Sequence, residues 1–366
     1  MPMNSVGFLN DFVDTPALLI NEPVLQKNLK TMAAYCKNTG IALRPHTKTH
    51  KCPEIARRQL DLGAIGLVCA KLGEAEAMAE AGLGPLLVAN QVIGPLKMKR
   101  LLKLNDQVDI SVCVGRVEHV EELIRTAEGA NTILSVFIEL EVGMQRCGAA
   151  GPVAALDLAK KISDAPRLEF RGVMGYEGHA VGTKDLVARH HKAETAHHEL
   201  ALAVAMIREN GIEVPVVSAA GTGTFNLGVD RDELTEIQPG SYCLMDSDYH
   251  GYENVCDHFE LACTVLATVI DQVDRRIVLD VGLKSIATDQ GLPVTRWRED
   301  IIPFEIHEEH YCMEAGEDNP VPRVGDRLEL LPSHICATAN LYDEFHVFRE
   351  QSLIARWPIT GRGRYT

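Results

Sequence analysis

The chain has 366 residues, 36 Lys and Arg against 51 Asp and Glu, a net charge of −15 and 46% hydrophobic residues. That length supports two domains, or a large barrel with an appendage, and a core that needs no disulfide or structural metal. The composition excludes intrinsic disorder. The negative charge, with short basic clusters only at 46–51 and 362–364, argues against nucleic acid as a partner.

The first elements in chain order are an early strand, Ala17 to Ile20, and a helix from Pro23 to Lys37. From residue 41 to residue 242, short apolar runs alternate with segments of helical spacing. Strands are expected to start at Ile41, Ile65, Leu86, Val108, Ile133, Leu168, Val216 and Glu236. Helices are expected at Pro53 to Leu62, Gly73 to Ala81, Pro95 to Leu104, Val117 to Ala127, Val153 to Ile162 and Asp185 to Asn210, with no clear helix before the last strand. Eight strands with helical links predict an α/β fold, a TIM-type (β/α)8 barrel. No GxGxxG follows the first barrel strand, which weakens a dinucleotide-binding reading. After Tyr249 the runs Cys263 to Ile270, Ile277 to Val281 and Arg327 to Leu331 are β-rich and predict a C-terminal β domain. The expected domains are a barrel over 22–246 and a β domain made of 1–21 and 247–366, with Ala17 to Ile20 pairing into the latter.

No apolar run reaches the roughly 18 residues of a membrane span. The N-terminus lacks a basic segment followed by an apolar one, so a cytoplasmic protein without a membrane partner is expected. Ten cysteines include no CxxC pair. They read as small hydrophobes on buried strands, as at Cys69 and Cys113, rather than as a disulfide framework.

Active sites of such barrels lie at the C-terminal ends of the strands. Arg44-Pro45-His46-Thr47-Lys48-Thr49-His50-Lys51 ends the first barrel strand, and His46 and Lys48 are its catalytic candidates. A lysine against low-dielectric walls loses its proton readily and forms Schiff bases, whereas the alternative is a solvated basic loop. Val217-Ser218-Ala219-Ala220-Gly221-Thr222-Gly223-Thr224 covers the end of the seventh strand and the loop after it, and Gly240-Ser241-Tyr242 closes the eighth. Barrel phosphate sites are built from these two loops, where glycines expose backbone N–H groups, although a GTGT segment alone also suits a plain turn. Arg146, in the loop after the fifth strand, suits an acidic oxygen or a structural carboxylate. His334 and Cys336 in Ser333-His334-Ile335-Cys336 would share one face of a strand and could hold one metal; a buried strand with no metal would look the same. Glu308, Glu309 and His310 are further metal candidates or an exposed acidic loop. His190, His191, His197 and His198 read as surface residues of a polar helix.

Taken together, RPHTKTHK, VGMQRCG, AAGTGT, QPGSYCLMDSDY, DVGLKS and PSHICATANLYDEF occur in an order that resembles the D-threonine aldolase / D-serine dehydratase family, with its alanine-racemase-like barrel. The resemblance runs from Thr15-Pro16 to Gly361-Arg362-Gly363. It implies pyridoxal 5′-phosphate (PLP) and a divalent metal (Mn, Mg or Zn) as cofactors, with Lys48 as the Schiff-base lysine and Arg146 near the cofactor's phenolic oxygen. Tyr176 in GYEGH would lie near the cofactor, and Ser218, Gly221, Thr222, Gly223, Gly240, Ser241 and Tyr242 would bind it, mostly around its phosphate. His334 and Cys336 match the metal pair. Two positions depart from the family: many of its aldolases carry His-x-Asp where this chain has His334-x-Cys336, and Tyr311 stands where a glycine often follows Glu-Glu-His. The thiolate favours Zn²⁺ and the dehydratase branch, whereas NLYDEF resembles the aldolase branch.

The implied activity is cleavage of a D-β-hydroxy-amino acid to glycine and an aldehyde. The alternative is dehydration of D-serine or D-3-hydroxyaspartate to a keto acid and ammonia. A racemase would need a second base and no metal. A non-catalytic PLP carrier typically lacks a large C-terminal β domain, and its state would be indifferent to chelation. A small-molecule D-amino acid is the expected partner, and a homodimer the expected assembly.

Overall fold

Short runs rich in Val, Leu and Ile form most of the strands of this computed structural model, which describes residues 12–227 and 234–366. The described residues divide into two units. One takes those within Met1–Thr31, Thr49–Glu54 and Ser241–Arg362, and the other those within Met32–Lys48, Ile55–Gly240 and Gly363–Thr366. Strand β1 (Ala17–Asn21) belongs to the first unit. The next eight strands build the second: β2 (Ala42–Leu43), β3 (Leu67–Cys69), β4 (Leu86–Gln91), β5 (Ile110–Val114), β6 (Leu134–Glu139), β7 (Leu168–Met174), β8 (Val216–Ala219) and β9 (Glu236–Ile237).

These eight strands are parallel and pair in the order β2-β9-β8-β7-β6-β5-β4-β3. The two ends of the sheet meet, because the Val68 N–H donates to the Pro45 carbonyl (2.9 Å) and His46 bridges Val68. Each strand thus neighbours its successor around a closed ring, the connectivity of the expected barrel and not of a doubly wound sheet. Helices Leu72–Glu80, Pro95–Asn105, Val117–Ala130, Pro152–Ser163 and Leu186–Glu209 fill the links. Pro95 and Pro152 open two of them, where the missing N–H has no helical acceptor to lose. Among the described residues no helix joins β8 to β9.

Period-2 alternation divides the barrel side chains. Leu67, Val88, Val112, Val136, Val173 and Val217 pack outward against helix residues such as Met78, Leu101, Leu123, Ile162 and Val204. Val68, Leu87, Cys113, Phe137 and Met174 form a separate cluster. Cys69 and Cys113 are buried as small hydrophobes. Burial, then the carboxylates of Glu139 and Glu236, push the Cys113 thiol well up, so it stays protonated and inert.

The other unit contains a nine-stranded sheet made of β1 with β10 (Cys263–Val273), β11 (Arg276–Leu279), β12 (Val294–Thr295), β13 (Ile301–Ile306), β14 (Tyr311–Ala315), β15 (Arg327–Leu331), β16 (Glu344–Arg349) and β17 (Ser352–Pro358). The main path is β13-β14-β11-β10-β1-β16-β17, with β15 pairing β10 and β12. As expected for the early strand, β1 pairs here, antiparallel to β10 (Ala17 opposite Leu266) and parallel to β16 (Leu19 opposite His346). Val13, Ala17, Leu19, Leu266 and Phe348 form one of its apolar clusters.

Candidate active site

Within the barrel unit, the reactive candidates follow the ends of different strands. After β2, Arg44 places its Nε 3.0 and 3.1 Å from the two carboxylate oxygens of Glu236 on β9. Ser218 on β8 donates to Glu236 Oε1 (2.8 Å), and Gln238 Nε2 donates to Ser218 Oγ (2.7 Å). Ser218 is therefore part of a buried polar network, and Glu236 is 1% exposed there with its charge compensated. Next comes the 3₁₀ turn Thr47–Thr49. Thr47 Oγ1 donates to the Val68 carbonyl (2.9 Å), and the Lys48 N–H donates to His46 Nδ1 (3.3 Å). His46 thus helps to shape the turn that presents Lys48.

The Lys48 ammonium lies 5.4 Å from the centre of the Tyr176 ring, and the Arg146 guanidinium 5.8 Å from the same centre. Both fall within cation–π range. Tyr176 follows β7, and Arg146 lies in the loop after β6. Arg146 also faces Glu139 (3.6 Å), a buried carboxylate that accepts from Gln91 Nε2. Gly143, in the Arg146 loop, has φ +126°, and a Cβ there would meet the His179 ring at 2.6 Å; only glycine lets that ring pack on the loop. A Cβ at Gly221 would lie 3.2 Å from Tyr176 Cε2, and one at Gly223 would lie 3.1 Å from Val181. Lys48, Arg146 and Gly221 thus converge on one tyrosine ring from three different loops.

The loop after β8 is organised by Glu177, which is fully buried. Its Oε2 accepts the Ala220 N–H (3.2 Å), and its Oε1 accepts the Thr224 hydroxyl (2.5 Å). Thr224 Oγ1 in turn accepts the Gly221 N–H (3.0 Å). His197 Nε2 stands 3.5 Å from Glu177 Oε1. Burial opposes ionisation of Glu177, but the His197 and Thr224 contacts outweigh it and hold the carboxyl below its ordinary value. His197 corrects the surface expectation, since it is 4% exposed. The signal was present: Ala193, Ala196, His197, Leu200, Ala203, Val204 and Ile207 make the buried stripe of one helix. His191 and His198 are exposed, and His190 is half-buried beside Glu194.

Gly240 ends the barrel unit. Ser241 and Tyr242 lie in a 3₁₀ turn of the β unit, where Tyr242 is fully buried with its ring 5.6 Å from Phe259 and Ser241 Oγ is 3.7 Å from Cys336 Sγ. His334 and Cys336 do come together, but not on a strand. His334 caps the short helix Ile335–Ala339, and Cys336 is in its first turn. Asp246 explains the difference, because its carboxylate accepts the Ile335 N–H (3.0 Å) and so satisfies a donor of the helix start. The Cys336 thiol and Asp289, whose Oδ2 is 2.6 Å from His334 Nδ1, raise the His334 imidazole to about 9 against the opposing effect of burial. Cys336 also donates to Thr49 Oγ1 (3.3 Å). Glu308 and Glu309 form exposed ion pairs with Lys284. Among the described residues no cluster of three or more His, Cys, Asp or Glu side chains is arranged to hold a metal. Glu139, Glu177, Glu236, Asp246 and Asp289 were not singled out in the sequence, because their partners Gln91, Ala220, Arg44, Ile335 and His334 lie 43 to 192 residues away along the chain.

Two family models match successive parts of the chain. The family model "Alanine racemase, N-terminal domain" matches residues 20–248, and "Putative serine dehydratase domain" matches residues 262–348. The D-threonine aldolase of Arthrobacter sp is 34% identical over 356 residues, 96% of this chain and 93% of that protein. A 3-hydroxy-D-aspartate aldolase of Paracoccus denitrificans is 31% identical over 361 residues, again 96% and 93%. The D-threo-3-hydroxyaspartate dehydratase of Delftia sp. is 26% identical, over 94% of this chain and 97% of that protein. The crystal structure of D-threonine aldolase from Filomicrobium marinum is 35% identical, with a TM-score of 0.94 over 97% of this chain and 96% of that one.

Proposed function

The chain belongs to the D-threonine aldolase / D-serine dehydratase family with its alanine-racemase-like barrel, and from that premise we propose that it is a PLP- and metal-dependent lyase that cleaves D-β-hydroxy-amino acids to glycine and an aldehyde. The observation that carries the reading is the convergence of Lys48, Arg146 and Gly221 on the Tyr176 ring. The residues fit PLP. A lysine amine suits its aldehyde carbon, a guanidinium suits its phenolic oxygen, and a cradle that a Cβ would fill suits a phosphate held by backbone N–H groups. His334 and Cys336 offer two donors of the kind a divalent metal takes, above all Zn²⁺: a thiol adjoins an imidazole whose Nδ1 is already tied to a carboxylate.

When bound, PLP supplies an electron sink for a Cα bond, and a divalent metal lowers the pKa of the substrate hydroxyl. The chain's own residues divide the remaining work. Lys48 would bind the cofactor, in a turn shaped by His46 Nδ1. Arg146, steadied by Glu139, would hold positive charge toward the phenolic oxygen. Ser218, Gly221, Thr222, Gly223 and Gly240 would form the phosphate side of the site. Asp289 engages Nδ1 of His334, which would leave the other imidazole nitrogen to bind a metal. Cleavage removes the β-hydroxyl proton and breaks the Cα–Cβ bond; an aldehyde leaves, and protonation at Cα gives glycine.

One observation favours a second reading. Cys336 stands where many aldolases of the family have a carboxylate, and dehydration would use the same metal contact to help hydroxide leave. The higher identity to the aldolases, 34% and 31% against 26%, supports cleavage. The same proposal includes a cytoplasmic homodimer acting on small D-amino acids. Among the described residues no helix is long and apolar enough to cross a membrane. The test is incubation with PLP, Mn²⁺ or Zn²⁺ and D-threonine. Glycine with acetaldehyde supports cleavage, whereas ammonia with 2-oxobutanoate moves the chain to the dehydratase reading.

A further inference from the structure

We infer that Glu177 and His197 are positioning residues for the phosphate-binding loop, a buried carboxylate backed by an imidazole that sets the affinity for the PLP phosphate through Ala220, Gly221 and Thr224. The inference rests on the assignment of that loop in the proposed function. Neither side chain can meet a ligand directly from solvent, since Glu177 is 0% and His197 4% exposed. Glu177 grips both ends of the loop, at the Ala220 N–H and at the Thr224 hydroxyl. Ala220 needs such a hold, because it is a non-glycine residue in the left-handed region, at φ +63°.

The carboxylate also sets the direction of a hydrogen-bond chain. An ionised Glu177 can only accept, so the Thr224 hydroxyl must donate to it and is left to accept the Gly221 N–H. That chain orients the peptide opening the glycine segment, and Gly221 is where the loop touches the Tyr176 ring. A lone negative charge enclosed behind a phosphate loop would repel the phosphate. His197, on the helix Leu186–Glu209 with its Nε2 3.5 Å from Glu177 Oε1, places the polar edge of an imidazole against that charge. Both members of the pair therefore serve the same end.

The experiment measures the PLP Kd of the apo chain, the 31P resonance of bound PLP and the apo Tm for Glu177→Gln, His197→Leu and the double variant. The glutamine amide must turn an N–H toward one of the donors that Glu177 now accepts. PLP Kd should rise about tenfold in each single variant, the scale of one lost charge-assisted hydrogen bond. The 31P signal should move with it, and the double variant should lose less than the two singles combined. KM for the amino acid at saturating PLP should stay near the wild-type value. Thr224→Val removes the hydroxyl without touching the pair and should weaken PLP binding several-fold, which keeps the test open if Glu177→Gln does not fold. Folded variants with a PLP Kd within about twofold of wild type and an unchanged 31P signal overturn the inference. A wild-type chain that binds no PLP overturns the cofactor reading itself, an outcome distinct from wild-type binding with unaffected variants.

Discussion

The barrel end and the turn that carries His334 hold reactive side chains by opposite means. In the barrel, Lys48, Arg146, Tyr176 and Gly221 come from four loops spread over more than 170 residues, and each is supported by its own buried partner or close contact. In the β unit, His334 and Cys336 are two residues apart on one short helical turn, supported by Asp246 and Asp289. A dispersed constellation is held by the scaffold and tolerates loss of one member without losing the geometry of the rest. A local one depends on the turn itself, and loss of one member leaves little of the donor set.

Substitutions in the two regions test that contrast. The largest effect is expected for Lys48→Ala, which removes the proposed attachment point: the absorbance band of bound PLP should vanish and turnover should fall by about a thousandfold or more. An unchanged band would break the barrel half of the comparison. His334→Ala should cut metal-supported activity by about ten- to a hundredfold, the scale of lost metal-site interactions, while the PLP band persists; metal titration of the activity reads this. Arg44→Met tests the scaffold, because it leaves Glu236 charged in a nearly dry network. It should lower stability by about 3 kcal/mol, seen as a lower denaturant midpoint. At the small end, Lys284→Ala removes an exposed ion pair with Glu308 and Glu309 and should leave Tm unchanged.

Much of the barrel was legible in the sequence, for a physical reason. Strands of a parallel barrel are apolar on both faces and are separated by helices with Gly or Pro at their ends, so each expected start lies within two residues of the observed one, as with Ile65 against Leu67 and Val108 against Ile110. Strand ends then locate Lys48, Arg146, Tyr176 and Gly221. The turn at His334 was not legible as a helix, since five residues carry no distinguishable period and the decisive cap, Asp246, is 89 residues away. Glu177 was hidden for the same reason, as its partners Ala220 and Thr224 lie 43 and 47 residues along. His197 was legible and misread: four neighbouring His made the helix look polar, although the spacing of its alanines and leucine marks a buried face.

Chelation of the PLP-loaded enzyme, with the cofactor band and the cleavage of D-threonine read in the same sample, separates the barrel residues from the metal pair. Activity should fall and return with Zn²⁺ or Mn²⁺ while the PLP band persists throughout. Activity indifferent to chelation, or a band lost together with the metal, would contradict that separation.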